Sequence, residues 1–225
     1  NENNLLSGFL TFDLNKDLEL LDKLIIKEYT KNTFYGDLNK WLMNNKMNDY
    51  EPIAYFTARL MYSLNKYAKA NNKFCNENKK ELHRGVKMTY SNLLPYERAK
   101  GKIILLSAFT STSQDESLAK KWSGRDNTKG LYKTNLKFSV VFIIRNFYDK
   151  NWISNGIDVQ KESQYKSEEE ILYQPFSFYY VRDVQIDNKN YTADIYLDTI
   201  GKTEILEEKI KEGKEIKFNS KLKIM

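Results

Sequence analysis

Between residues 13 and 80 the apolar positions fall at helical spacing, and from Glu81 onward they gather into short runs of β-branched and aromatic residues. Leu18, Leu20, Leu21, Leu24, Ile25 and Tyr29 mark one helical face. Trp41, Leu42 and Met43 belong to a second, short helix after a turn at Gly36. Pro52, following Asp49, opens a third helix, because proline's fixed φ suits a first helical turn. Its apolar face carries Ala54, Phe56, Ala58, Leu60, Met61 and Leu64. Beyond Glu81 the runs 103–109, 136–145, 171–181 and 191–197 read as strands. A short helix over 114–122 is expected to be their only interruption, and no internal repeat or low-complexity tract is visible. Helices followed by strands predict an α+β protein with a two-sheet, mostly antiparallel β core. The expected organisation is a helical part over 1–80, a β-rich core over 81–200 forming one domain with it, and a charged extension over 201–225.

Composition narrows this picture without changing it. A chain of 225 residues with 41% apolar content can bury a core as one compact unit. Cys75 is the single cysteine, so no internal disulfide is possible and nothing ties the chain to an oxidising compartment. That favours an intracellular protein, or a secreted toxin or effector acting in a cytosol. The apolar run 138–144 has strand length, far short of the roughly 20 residues a membrane helix requires, so no membrane insertion is expected. No signal peptide precedes residue 1, although numbering from an asparagine suggests a piece of a larger polypeptide. Net charge is +6 and is spread as +2 over each of the segments 1–80, 81–200 and 201–225. Nucleic-acid binders concentrate basic residues in a stripe; this chain does not, and nucleic acid is not expected as a partner.

Candidate chemistry lies in three strings, each at a strand-like stretch: Leu82-His83-Arg84-Gly85, Phe109-Thr110-Ser111-Thr112-Ser113 and Glu168-Glu169-Glu170-Ile171-Leu172. A guanidinium fork suits a phosphate, and the glycine beside Arg84 lets a ligand or another backbone come close. The blander role for Arg84 is a surface salt bridge. Ser113 followed by Glu116 fits a helix capping box, which leaves Ser111 without a structural task. On a strand, Glu168 and Glu170 would share one face about 6.5 to 7 Å apart while Glu169 points the other way. Like charges on one wall push their pKa values apart, which costs stability unless chemistry uses it. Alone, the glutamate triplet would read as a solvated turn. His83, the only histidine, reads as a packing or target-side residue.

In order and content these strings resemble the R-S-E class of mono-ADP-ribosyltransferases, which includes eukaryotic ecto-enzymes and actin-modifying bacterial toxins. Residues 50–69 look like that family's N-terminal helix, and 178–181 sit where it places the strand after its glutamates. The combination is specific although each string alone is weak. The resemblance implies an NAD cleft, with ADP-ribose passed from NAD to an accessible arginine of a protein substrate and nicotinamide released, and no metal. It implies that Arg84, with Gly85 beside it, holds the phosphate-ribose portion of NAD. Ser111 would fix Glu170, and Glu170 would stabilise the oxocarbenium-like transition state. Glu168 would serve the incoming guanidinium, with Tyr165 as the acceptor-loop aromatic. Relatives that modify asparagine on Rho proteins have glutamine where Glu168 stands. Trp122 and Arg125 are candidates for covering nicotinamide and meeting a phosphate. Ala108 replaces an asparagine that some relatives carry. Two other readings stay open: an NAD glycohydrolase, in which water is the acceptor, and a retired module kept for protein binding or assembly.

Overall fold

The computed structural model describes residues 14–31, 35–43, 51–75, 81–125, 137–146 and 156–200. Among the described residues three helices come first, as the periodicity predicts: α1 (Leu14–Tyr29), α2 (Tyr35–Met43) and α3 (Glu51–Asn71). Gly36, expected in a turn, is the second residue of α2. The strands that follow are β1 (Glu81–Thr89), β2 (Ile103–Leu106), β3 (Thr110–Ser113), β4 (Lys137–Arg145), β5 (Gly156–Asp158), β6 (Glu170–Tyr173), β7 (Ser177–Asp187) and β8 (Thr192–Thr199). Among the described residues two helices lie between them, α4 (Tyr90–Arg98) and α5 (Glu116–Ser123), along with a 3-10 turn at Lys166–Glu168. Among the described residues no helix is long and apolar enough to cross a membrane.

Four local expectations are corrected. The helix α4 was not foreseen, because Pro95 inside it removes a backbone donor and reads as a breaker. Burial of Leu93, Tyr96 and Ala99 at three-residue spacing in the core holds it in place. The run 171–181 is two strands, since Pro175 and Phe176, at φ 61°, form a turn between β6 and β7. The run 103–109 ends as a strand at Leu106. The cap of α5 is Asp115, whose carboxylate accepts from Ser117 N at 2.8 Å, while Ser113 Oγ accepts from Asp115 N one turn earlier at 3.0 Å. The N-cap therefore lies two residues beyond Ser113, with Leu118 at the third helical position in place of the glutamate a capping box needs, and Gly124, at φ 77°, closes the helix.

Hydrogen bonding links the strands in the order β2-β7-β8-β4-β1-β3-β6-β5, and every described pairing except β4 with β8 is antiparallel. The two separate sheets expected from the sequence are thus one eight-stranded order. Its narrowest join is β1 with β3, where His83 and Ser113 form the single registered pair. On one side of this seam runs the ladder β2-β7-β8-β4-β1, and on the other β3-β6-β5. One core cluster unites both, with Val86, Phe142 and Ile195 of the longer ladder packed with Ile171 and Tyr173 of β6. A second cluster sets Ile26, Leu38, Leu60 and Leu64 of α1 to α3 against Phe109, Ile157 and Leu172. The helical N-terminal part therefore covers the short ladder. In contrast, α5 lies on β1 and β4 through Ala119, Val141 and Ile143.

Candidate active site

The seam is where the three strings meet. Side chains alternate along β1, so Arg84 lies on the face of Leu82, Val86 and Met88, all core residues, while Gly85 faces α5. The β1/β3 ladder stops after one pair, and the Arg84 guanidinium occupies its continuation: Nη1 donates to the Ser111 carbonyl at 2.8 Å. The Ser111 side chain goes the other way. Ser111 pairs with Leu172 across the β3/β6 ladder, which puts Glu170 on its face as a diagonal neighbour. Ser111 Oγ donates to Glu170 Oε1 at 2.7 Å. Arginine, serine and glutamate are thus joined through the backbone and side chain of one residue.

Glu170 is 5% exposed, and its second oxygen, Oε2, accepts from Ser163 Oγ at 3.1 Å. Burial holds its carboxyl above the usual carboxylate range, opposed by the two hydroxyl donors and the Arg84 charge. Arg84 is pulled below its ordinary value, again by burial. No carboxylate pairs with Arg84 among the described residues, and its buried Nε has no hydrogen-bond partner. A half-buried cation with unused donors and no counter-ion is a fitting receptor for an anion.

Glu168 does not share a strand face with Glu170. It ends the 3-10 turn, and Glu169 follows in the left-handed region at φ 47° before β6 begins at Glu170. Even so, the carboxylate of Glu168 is near enough for its charge to add to burial in raising the pKa of Glu170. Its own pKa is raised by partial burial. Tyr165 opens the same turn, 38% exposed.

Other candidates lie elsewhere. A Cβ at Gly85 would sit 1.7 Å from the Ala119 carbonyl oxygen, so the close approach that the glycine permits is to the α5 backbone. Trp122, half-buried, is on α5, across the sheet from the Arg84 side chain. Arg125 follows it and donates to the Ser139 and Ala193 carbonyls and to Asp194 Oδ1 at 3.3, 3.0 and 2.8 Å, binding β4 to β8. Residues 126–136, where the sequence suggests a loop, lie outside the described residues. His83 is buried in the seam as the partner of Ser113, consistent with a packing role.

Residues missed from the sequence complete the surroundings. Asn39 of α2 is buried; its Oδ1 accepts from Phe109 N at 3.1 Å and its Nδ2 donates to the Tyr29 hydroxyl at 3.2 Å. Tyr29 packs on Phe109 with ring centroids 4.8 Å apart, and its hydroxyl is within electrostatic range of both Glu170 and Arg84. An asparagine between the apolar Leu38 and Leu42 was the one available signal, because buried amides require partners.

The family described as NAD:arginine ADP-ribosyltransferase matches residues 14–204. Among solved structures, HopU1, an ADP-ribosyltransferase of Pseudomonas syringae pv. Tomato, superposes with a TM-score of 0.59 at 16% identity, over 80% of this chain and 76% of that one. The ADP-ribosyltransferase Vis, a Vibrio splendidus toxin, solved in complex with agmatine, gives 0.56 at 16% identity over 84% and 87%. The C3 exoenzyme of Clostridium limosum gives 0.54 at 18% over 80% and 84%. At such identities these likenesses are of fold. No curated protein is matched.

Proposed function

This chain belongs to the NAD:arginine ADP-ribosyltransferase family, and from that premise we propose that it transfers ADP-ribose from NAD to an arginine of a protein substrate, releasing nicotinamide. The observation that carries the proposal is the buried Glu170 carboxylate, gripped on Oε1 by Ser111 beside an arginine that has no counter-ion among the described residues. Arg84 receives the negatively charged part of NAD, its guanidinium supplying donors that β3 does not use. The bond between the ribose and nicotinamide breaks with its electron pair leaving on nicotinamide. Positive charge then develops on the ribose ring, and the fixed Glu170 carboxylate stabilises it without reorganising. The acceptor guanidine attacks the anomeric carbon and gives up a proton. Glu168, whose burial raises its proton affinity, takes that proton.

That Vis was solved with agmatine, a small guanidino compound, supports an arginine-like acceptor here. The test incubates the protein with NAD labelled in the ADP-ribose part and with agmatine. Labelled agmatine and free nicotinamide are expected in equal amounts, and Glu170→Gln should lower kcat by roughly 10² or more. A Glu170→Gln variant retaining a tenth of the wild-type rate would remove Glu170 from the chemistry. Nicotinamide release with water as the only acceptor, even when protein arginines are supplied, would make the chain a glycohydrolase.

A further inference from the structure

The segment between β5 and β6 closes on Glu170 through a residue that none of the three sequence strings contains. Ser163 is 2% exposed, and its backbone N donates to the Val159 carbonyl at 2.8 Å, while Val159 N in turn donates to the Glu170 carbonyl at 3.1 Å. A serine hydroxyl has one proton to give. Here it goes to Glu170 Oε2, while Ser163 Oγ accepts from Tyr165 N at 3.1 Å. The next residue is anchored too: Gln164 N donates to Thr30 Oγ1 at 2.9 Å, just beyond the end of α1, and Thr30 Oγ1 donates to the Lys27 carbonyl.

We propose that Ser163 is a positioning residue for Glu170, and that through it the reacting carboxylate and the turn carrying Tyr165 and Glu168 are set as one unit. The inference rests on the role assigned to Glu170 above. Its physical reason is torsional. The last torsion of a glutamate joins sp³ to sp² carbon and is broad, so one hydrogen bond at Oε1 leaves the carboxylate plane free to turn. A second bond, from a different segment to Oε2, fixes that plane. The Ser163 proton also favours the ionised carboxylate, opposing the burial that disfavours it.

The test compares Ser163→Ala, Ser163→Cys and Ser163→Thr, following nicotinamide release and transfer to agmatine from acid to neutral pH, with melting temperatures to check folding. Alanine, and cysteine as a near-isosteric but weak donor, should lower kcat for both activities by roughly tenfold to a hundredfold, the usual effect of losing a hydrogen bond to a charged group. The KM for NAD should be nearly unchanged. Because a donor to the charged form is gone, the acid limb of the pH profile should move to higher pH, and threonine should return both properties toward wild type. A kcat within twofold of wild type for alanine and cysteine, or a lower kcat with an unmoved acid limb, would overturn the proposal. Glu170→Gln run alongside separates the two failures. If it stays active, the assignment of Glu170 itself is wrong; if it is inactive while Ser163 variants are normal, only the positioning role falls.

Discussion

Glu170 carries a conflict between burial and charge, and the sign of that conflict is measurable. Its folded pKa is raised, chiefly by burial. Proton binding therefore favours the native state: this contribution is full below the unfolded carboxylate value and is lost as pH rises through the folded one. At neutral pH the ionised carboxylate opposes folding, as functional groups often do. Glu170→Gln should accordingly melt at a higher temperature than wild type at pH 7, with the gap narrowing as pH is lowered through the carboxylate range. Differential scanning calorimetry at several pH values measures this, and a variant less stable at pH 7 would contradict the argument. Arg84 shows the same pattern with opposite charge, since burial lowers its pKa while Ser111 supplies the one hydrogen bond described for it.

At the scale of elements, β1 serves two faces at once. Arg84 faces the seam, while Gly85, next along the strand, lets α5 press against the opposite face. Substituting Gly85→Ala puts a methyl 1.7 Å from the Ala119 carbonyl oxygen and 2.7 Å from Ser123 N, both of them backbone. Backbone cannot rotate away, so α5 must move as a body. Overpacking of this kind typically costs about 1–3 kcal/mol and can exceed it. Chemical denaturation should show the midpoint falling by that measure, and an unchanged midpoint would mean that α5 is not seated on β1 as described. A similar local constraint sits at Glu169, whose left-handed backbone lets the chain leave the 3-10 turn and enter β6 with Glu170 facing Ser111.

In the whole molecule, the site is made by two ladders that touch at one residue pair, with Arg84 on the long ladder and Ser111 and Glu170 on the short one. The helices α1 to α3 pack on the short ladder, and Asn39 and Thr30 tie them to Phe109 and Gln164. Glu168 stands on the turn those helices help to hold, apart from the strand that carries Glu170. This separation of supports predicts a separation of activities. Glu168→Gln should leave NAD hydrolysis near its wild-type rate while transfer to agmatine falls by roughly 10² or more, the range for loss of a general base. Parallel assays of nicotinamide release and labelled product read both; a fall of the two in step would show that Glu168 is not specific to the acceptor.

The amino-acid sequence by itself determined that helices precede strands, and it determined the three strings that carry Arg84, Ser111 and Glu170. Those properties are local: periodicity, β-branched runs and residue chemistry act over a few neighbours. What tertiary structure decided are relations between distant segments. The bond from Phe109 to Asn39 spans 70 residues and that from Gln164 to Thr30 spans 134, so no local window of sequence holds both partners of either. Alternation along a strand also assumes a strand, and the left-handed Glu169 ends that assumption one residue before β6, which is why Glu168 sits off the face expected of it. Gly85 could have met a ligand or a backbone; only the packing of α5 chose the backbone, and it placed Trp122 across the sheet from Arg84 and Arg125 on the β4/β8 ladder. Ser163 became visible only when folding brought its hydroxyl to Glu170.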